Sequence, residues 1–493
     1  MAHLILGIIT ITFSCIITFF SWRTDVRNHY KTSLFLIILT GFILRIYTGS
    51  DLYLHDWDEK YHALVAKNMI DHPLEPRLYK NHVIPYDYKN WTGNSVWLEK
   101  PPVPLWGLAG SIALFGTNEI AVRLPSLLLS TLAIFLTYLI GTILFNRKIG
   151  LLAAFLHAIN GLVIELAAGR ISSDHVETFF IFFVELSMLL CILSIRKKQS
   201  TGLIFLAGLT TGISLLCKWT PGLVVLPVWL GAAIWSKRYT FPKLIQKFLI
   251  ILFTSAVVFL PWIFYILRTF PEESGWVLKK FLFAYSESVE GHSAPFWYYL
   301  NYAGIIFGEL IILPVLFQIF LWIKKKMNWQ LVFLNLWWLI PVFIFSFAAT
   351  KRHTYLLMAA PAFFVIIAYA IYYMLRLRHR FRHKWIVTGL AILLVALPVR
   401  YCLERVKPFE KRDMNPQWAI DLRNLKNKIP QSDKTIVFNL DHPVEAMFYN
   451  NFTAYSHIPD KPVIDNLIRK QYIVYIIRSD RGSDSLQRMA NGQ

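Results

Sequence analysis

The sequence predicts an all-α polytopic membrane protein with about twelve transmembrane helices and a small α/β domain at its C-terminus. Of the 493 residues, 56% are hydrophobic and only 16% are charged, and the mean hydropathy is +0.46. Apolar runs of about 20 residues recur along the chain, which is the length that a helix needs to cross a bilayer. This composition excludes a soluble enzyme, and the 16% aromatic content excludes a disordered chain.

Twelve apolar runs predict the membrane spans. They cover residues 2–20, 32–48, 123–145, 150–166, 175–195, 202–217, 220–235, 247–267, 298–322, 329–349, 355–375 and 384–400. No basic residue precedes the first run, so we expect a retained helix with its N-terminus outside rather than a cleaved signal sequence.

The net charge of +20 is explained by the loops between these spans. An excess of this size is typical of a nucleic-acid binder, a polybasic tail or the cytoplasmic loops of a polytopic protein. Alternate loops hold nineteen Lys and Arg residues and a single acid, Asp25. The basic clusters are Arg23, Arg27 and Lys31; Arg147 and Lys148; Arg196, Lys197 and Lys198; Lys237, Arg238 and Lys243; Lys324, Lys325 and Lys326; and Arg376, Arg378, Arg380, Arg382 and Lys384. The positive-inside rule makes this face cytoplasmic, and nothing indicates nucleic acid.

Two long segments are then predicted to lie outside. Residues 1–400 form the transmembrane domain, in which the external loop 49–122 carries two juxtamembrane helices, Asp58 to Met69 and Val103 to Phe115. Residues 401–493 form an extracytoplasmic α/β domain, predicted to have a supporting or acceptor-binding role rather than a catalytic one. Its predicted elements are a helix near 416–428 and strands at Thr435 to Leu440 and Tyr472 to Ile477.

Polar residues gather at the predicted outer ends of the spans. They are Asp56, Asp58, Glu59, Glu99, Lys100, Arg170, Asp174, Lys218, His292, Lys351, Arg352, His353 and Tyr355. Any one of them can be a solvated or snorkelling side chain, and Asp58 can also be a helix N-cap. Because all of them fall on one membrane face, the pattern predicts a single site there.

Several of these residues stand in motifs that resemble one kind of enzyme. Trp57-Asp58-Glu59 with Tyr61 and Met69, followed by Leu98-Glu99-Lys100-Pro101-Pro102, resembles the membrane glycosyltransferases of the GT-C fold. The similarity is greatest to the branch that contains the lipid A aminoarabinose transferase and the dolichyl-phosphate-mannose protein mannosyltransferases. Further matches are Gly169-Arg170 with Asp174, Lys218 in Cys-Lys-Trp-Thr-Pro-Gly, His292 before Pro295-Phe296-Trp297-Tyr298-Tyr299, and Lys351 with Tyr355 and Pro361. Together they cover about residues 35–375.

The resemblance implies a reaction and a set of roles. A sugar passes with inversion from a polyprenyl phosphate, undecaprenyl phosphate in bacteria, to a lipid A, glycolipid or protein hydroxyl at the outer leaflet of the inner membrane. Asp58 is the implied base and Asp174 a second carboxylate, with Asp56 and Glu59 as neighbouring candidates. The implied donor-binding residues are Lys100, Lys218, Arg170, Lys351 and Tyr355. Glu99 and His292 resemble a pair that binds a divalent metal ion, Zn, Mn or Mg.

One position departs from the pattern, and two other functions stay open. Tyr61 stands where the aminoarabinose branch has a basic residue, so the sugar is undetermined. A transporter or lipid flippase would also have many spans, with ionisable residues near mid-membrane, for which Glu165, Glu185 and Glu309 are the candidates. A structural subunit without activity requires only the spans.

Overall fold

The computed structural model describes residues 2–197, 200–283, 285–480 and 483–489. Lys198 of the third basic cluster lies outside this range. The helices before the middle of the chain are α1 Ala2–Val26, α2 Tyr30–Thr48, α3 Asp58–Asn68, α4 Pro102–Phe115, α5 Glu119–Leu144, α6 Arg147–Ala158, α7 Gly161–Ala167, α8 Asp174–Arg196, α9 Thr201–Lys218, α10 Val225–Ser236 and α11 Phe241–Thr269. The later helices are α12 Pro271–Phe283, α13 Tyr298–Phe307, α14 Ile312–Ile323, α15 Trp329–Phe347, α16 Ala360–Leu377, α17 Lys384–Val406, α18 Gln417–Asn424, α19 Pro443–Tyr449 and α20 Lys461–Arg469.

The polytopic all-α class is confirmed, but the spans are less regular than predicted. Among the described residues, nine helices are long and apolar enough to cross a membrane, or up to eleven if each of two bent pairs counts as one span. The predicted span 150–166 is the pair α6 and α7, bent by 57°. The predicted span 298–322 is α13 followed by a helix from Glu309 to Ile323, bent by 116°. The predicted span 220–235 is a shorter apolar helix, Thr220–Ser236, which begins with a 3-10 turn.

Local sequence explains both bends. The Asn160 side chain accepts a hydrogen bond from the Val163 N–H and so begins a new helix within the apolar run. Gly308 separates α13 from the next helix with a φ of 96°, a backbone conformation that glycine adopts without steric cost. Hydropathy counts apolar residues along the chain and does not detect such breaks, which is why about twelve straight spans were predicted.

The C-terminal α/β domain is confirmed. Strands β1 Thr435–Phe438, β2 Thr453–Ala454, β3 Ile473–Asp480 and β4 Ser483–Met489 form one sheet in the order β2-β1-β3-β4. β1 is parallel to β2 and to β3, where Ile436 pairs with Val474, and β4 is antiparallel to β3. Helix α17 runs without a break past residue 400 to Val406, so it continues beyond the predicted end of the transmembrane domain.

The C-terminal domain packs directly on α3. The Lys67 ammonium donates hydrogen bonds of 2.7–2.9 Å to the carbonyls of Met447, Phe448 and Asn450 at the end of α19. These are carbonyls without partners inside their own helix, and a cation there also offsets the negative end of the helix dipole. The domain thereby fixes the position of the helix that begins with Asp58.

Candidate active site

Helix α3 presents Asp58 and Glu59 in its first turn. The residue before them, Trp57, has φ 67° and ψ −128°, and no side chain caps the helix. Asp58 is therefore inside the helix rather than at the N-cap, and its carboxylate is free for other partners. Two carboxylates in the first turn are favoured by the positive end of the helix dipole.

The Asp58 carboxylate lies between a backbone donor and a lysine. Its Oδ2 accepts a hydrogen bond of 2.9 Å from the Ser173 N–H and lies 3.7 Å from the Lys100 Nζ. The side chain is 12% exposed. Burial alone would raise the pKa of Asp58, but Lys100, His62, the Ser173 N–H and Arg352 outweigh it and lower the pKa to about 2. Asp58 is thus an ionised carboxylate that reaches the surface.

Asp56, the neighbouring candidate for the base, lies in a different environment. Its side chain is 78% exposed and is 3.3 Å from the Lys60 Nζ, which also pairs with Glu445 at 3.0 Å. A solvated carboxylate of this kind has no fixed position. The geometry therefore favours Asp58 over Asp56.

Glu59 anchors α3 to the membrane domain. Its two oxygens accept hydrogen bonds of 2.7 and 2.9 Å from Arg123 of α5, and the His55 N–H donates a third. Burial would raise the pKa of Glu59, but Arg123 and His55 hold it well below its usual value. Because the Glu59 and Arg123 side chains are fully buried, this pair positions α3 and does not face a substrate.

Asp174 ties α8 to α3. Asp174 is the fully buried first residue of α8, and its Oδ1 lies 2.8 Å from Nδ1 of His62. His62 is one helical turn after Asp58 in α3. The preceding Ser173, with φ 68°, donates its N–H to Asp58. The two predicted carboxylates are therefore joined by contacts through Ser173 and His62.

Cations line the other side of the site. Lys218, the last residue of α9, pairs with Glu177 of α8, and its ammonium lies 4.5 Å from the centroid of the Tyr355 ring. Lys100 and Arg352 are close enough to act electrostatically on both Lys218 and Glu177. A small cleft of about 70 Å³ lies here, lined by Lys218, Trp219, Thr220, Pro221, Phe281, Tyr285, Phe345, Ala348, Thr350 and Tyr355.

Two of the predicted donor-binding cations are placed elsewhere. The Lys351 ammonium is buried and donates to the Ala348 carbonyl at 2.5 Å, whereas its neighbour Arg352 influences Asp58 and pairs with Glu290 at 2.8 Å. Arg170 lies 3.5 Å from Asp51, which contacts His55 and so belongs to the buried network around Glu59. Burial and the nearby Arg412 lower the pKa of Arg170 to about 10.

The predicted metal pair does not form a closed ligand set. Glu99 lies 3.1 Å from the Lys280 ammonium, which also pairs with Glu290. His292 is exposed, and its backbone carbonyl accepts from the Lys351 N–H at 2.8 Å. Among the described residues, no three His, Cys, Asp or Glu side chains converge as metal ligands. Lys280 supplies the positive charge beside Glu99 in this arrangement, so we derive no step through a metal.

Backbone strain coincides with the site. Trp57, Ser173 and Trp219 have φ values of 67°, 68° and 54°, and each is directly adjacent to Asp58, Asp174 or Lys218. Such conformations cost non-glycine residues free energy and persist where the surrounding structure imposes them, often at functional sites. Three of the ten non-glycine residues with positive φ among the described residues thus flank predicted site residues.

Several residues of the site were not assigned roles from the sequence. They are His55, His62, Arg123, Glu177, Lys280 and Arg352. Helical spacing could have indicated two of them, because His62 is four residues after Asp58 and Glu177 three after Asp174. An arginine at the start of an apolar span, such as Arg123, also requires a buried partner.

The fold and this arrangement define a polytopic membrane protein with the GT-C fold. The family model for dolichyl-phosphate-mannose-protein mannosyltransferase matches residues 99–265. The chain is 28% identical over 275 residues to undecaprenyl phosphate-alpha-4-amino-4-deoxy-L-arabinose arabinosyl transferase 1 of Pseudomonas fluorescens, covering 53% of this chain and 46% of that protein. The corresponding transferase of Pseudomonas aeruginosa is 28% identical over 336 residues, 64% of this chain and 58% of that protein. The chain thus spans about half the length of the curated relatives that it matches.

Solved structures share the fold over most of the chain. ArnT from Cupriavidus metallidurans, solved in the apo state and bound to undecaprenyl phosphate, matches with a TM-score of 0.62 at 12% identity. The match covers 90% of this chain and 92% of that one. The archaeal oligosaccharyltransferase AglB from Archaeoglobus fulgidus, in complex with an inhibitory peptide and a dolichol-phosphate, gives 0.59 at 13% identity, over 90% of this chain and 69% of that one. These matches confirm the GT-C fold that the resemblance implied.

Proposed function

We propose that this protein is an integral membrane glycosyltransferase that moves a sugar from a polyprenyl phosphate to a hydroxyl acceptor. The observation that carries the proposal is the ionised Asp58 carboxylate 3.7 Å from Lys100, with Lys218 and Arg352 acting on the same region. A carboxylate that can take a proton therefore stands beside cations that can receive a phosphate. The similarity to undecaprenyl phosphate-dependent arabinosyl transferases supports the same donor class.

The proposed reaction is a single displacement. The acceptor hydroxyl oxygen forms a bond to the anomeric carbon of the sugar, and the bond from that carbon to the phosphate oxygen breaks. Asp58 takes the hydroxyl proton, while the polyprenyl phosphate leaves on the opposite face with the bonding electrons. Lys100, Lys218 and Arg352 stabilise the charge that develops on this phosphate. The buried Asp174 contributes by holding His62, and through it α3, in place.

Arrival of the donor changes the basicity of Asp58. Lys100 and Arg352 hold the pKa of the free carboxylate near 2, where it is a weak base. A bound phosphate shares these cations and adds negative charge nearby, which raises the pKa of Asp58. The base thereby becomes stronger only when the donor is present.

We place the site on the extracytoplasmic face of the inner membrane. The basic loops connect the helix ends that are remote from the proposed site, and the positive-inside rule assigns those loops to the cytoplasm. The proposed acceptor is a lipid A, glycolipid or protein hydroxyl. A divalent metal at Glu99 and His292 stays a prediction, since it requires Glu99 to exchange Lys280 for the ion.

The structure gives less support to a transporter. Of its three candidate acids, Glu309 is exposed and pairs with Arg400, and Glu165 pairs with Arg405. Glu185 is fully buried and accepts from the Thr137 hydroxyl at 2.5 Å. Glu165 and Glu185 are both buried, but Glu165 is paired with Arg405, so the three acids do not form the ion path that a carrier needs at mid-membrane.

The test is replacement of Asp58 in living cells. A deletion strain is complemented with the wild type, Asp58→Asn or Asp56→Asn, and lipid A and exported proteins are compared by mass spectrometry. We expect the wild type and Asp56→Asn to restore a sugar modification and Asp58→Asn to lower it by about 10²- to 10⁴-fold, the usual contribution of a general base. Immunoblots check that the variants reach the membrane at equal levels. Full modification with Asp58→Asn would exclude Asp58 as the base.

A further inference from the structure

Asp25 is the single acid among the six basic clusters, and the proposed reaction does not use it. It lies in the last turn of α1, and α2 then runs from Tyr30 beside it to Thr48 at the site end of the bundle. Asp25 is therefore at the opposite end from Asp58.

Asp25 lines a cleft of about 590 Å³ between α1, α2, α6, α16 and α17. Its walls are mostly apolar and include Ile37, Leu151, Phe155, Ile371 and Val395. Ile392, Leu375 and Trp22 on its rim are exposed, so the cleft opens sideways between the spans. At this position a bilayer surrounds the helices. Because water finds few hydrogen-bond partners on such walls, lipid acyl chains rather than water fill the cleft.

Two opposite charges stand at the polar end of this cleft. Lys148, near the start of α6, lines it together with Asp25 and acts electrostatically on the Asp25 carboxylate. The Oδ1 atom of Asp25 is buried, and among the residues that the structure describes it has no hydrogen-bond partner. Such a carboxylate at the edge of a bilayer is costly unless another donor reaches it.

We propose that this cleft binds one phospholipid with a phosphoethanolamine headgroup. The primary ammonium of the lipid donates to the Asp25 carboxylate, the phosphate pairs with Lys148, and the acyl chains lie along the apolar walls. A phosphoglycerol headgroup offers Lys148 the same phosphate but brings no cation to Asp25. A phosphocholine headgroup keeps the positive charge but has no N–H to donate. The pair of charges therefore selects the primary amine.

Native mass spectrometry of the purified full-length protein tests this site. The protein is titrated with phosphatidylethanolamine, phosphatidylcholine and phosphatidylglycerol that carry identical acyl chains. We expect the wild type to bind phosphatidylethanolamine about tenfold more tightly than the other two, as one charge-assisted hydrogen bond implies. Asp25→Asn should bring the three affinities within about twofold of one another, and Lys148→Gln should weaken all three. Glu404→Gln, at the other end of the bundle, is the matched control and should leave the preference unchanged.

The comparison of three lipids on one protein keeps the result decisive even if a variant folds poorly. Equal affinities for the three lipids in the wild type would overturn the proposal. So would tightest binding of phosphatidylglycerol, which would indicate a cationic site without a role for Asp25. Retention of the tenfold preference in Asp25→Asn would show that the amine is recognised elsewhere.

Discussion

Lys100 sets the charge state of the proposed base. It is the cation that most lowers the pKa of Asp58, whose ordinary value is 3.8 and whose value here is about 2. Asp58 must be deprotonated to accept a proton, so transfer fails below this pKa. Removing the cation stabilises the protonated form, and the pKa rises.

The expected result is a shift of the acid limb of the pH profile. In Lys100→Met we expect kcat/KM to be lower and to begin falling at a higher pH than in the wild type, as the pKa of Asp58 returns toward 3.8. The measurement is kcat/KM against pH in detergent with a polyprenyl-phosphate sugar donor. Lys80→Met, a change at an exposed lysine that pairs loosely with Asp71 and Asp433, is the control and should keep the wild-type profile. An unchanged acid limb in Lys100→Met would separate Lys100 from the base.

Two adjacent cations, Lys351 and Arg352, offer a second contrast. The Arg352 side chain acts on Asp58, whereas the Lys351 ammonium is buried against the Ala348 carbonyl. We expect Arg352→Gln to weaken binding of undecaprenyl phosphate about 10- to 100-fold at unchanged thermal stability, since a charge-assisted contact is lost. Lys351→Gln should lower the melting temperature and leave the affinity of the folded protein within about threefold. Binding titrations and thermal unfolding of both variants measure these effects, and the reverse pattern would restore Lys351 as the donor ligand.

Among the elements, α3 depends on a glycine in the turn between α7 and α8. Gly169 has φ 74°, and a Cβ there would lie 2.3 Å from Oε1 of Glu59. That oxygen is fixed by Arg123, so it cannot move aside without breaking a buried ion pair. The close approach of this turn therefore holds the first turn of α3, and with it Asp58, in place.

Gly169→Ala should consequently destabilise the protein by about 2 to 4 kcal/mol, the sum of a left-handed backbone and an overpacked contact. The measurement is unfolding in a detergent titration followed by tryptophan fluorescence. Gly110→Ala is the matched control, because a Cβ at Gly110 in α4 meets nothing within 4 Å. That variant should be as stable as the wild type or slightly more so. Equal stability of both variants would contradict the role of Gly169.

The same element shows what the sequence could and could not predict. The apolar spacing from Asp58 to Met69 predicted α3 to within one residue of its end, because a surface helix has one buried face. The motif order placed Asp58, Lys100 and Lys218 in one region, and the structure agrees. The Glu59–Arg123 pair and the inward turn of Lys351 could not be predicted, since they depend on which side chains meet across helices far apart in the chain. Charge type alone does not distinguish Lys351 from Arg352.

At the scale of the whole molecule, one apolar core continues from the spans into the C-terminal domain. Buried residues of α8 and α16 belong to the same cluster as Phe438 and Phe448 of that domain. The domain also contacts the membrane part through charges, with Arg412 2.6 Å from Asp51 and Arg423 2.9 Å from Glu119. The C-terminal domain therefore lies on the same side of the bilayer as Asp58. The orientation of the molecule in the membrane is therefore determined once one residue is assigned to the outside or to the cytoplasm.

Asn90 is such a residue, because it is exposed in the long loop that precedes Lys100. We expect the Asn90→Cys variant to react with a membrane-impermeant maleimide added to spheroplasts. The Lys326→Cys variant, changed in the exposed basic loop after α14, should react only after permeabilisation. The native cysteines interfere little, since Cys191, Cys217 and Cys402 are buried, and Cys15, although exposed, lies within the membrane-spanning helix α1. Labelling of Lys326→Cys in intact spheroplasts, with protection of Asn90→Cys, would place the basic face outside and move the proposed site to the cytoplasm.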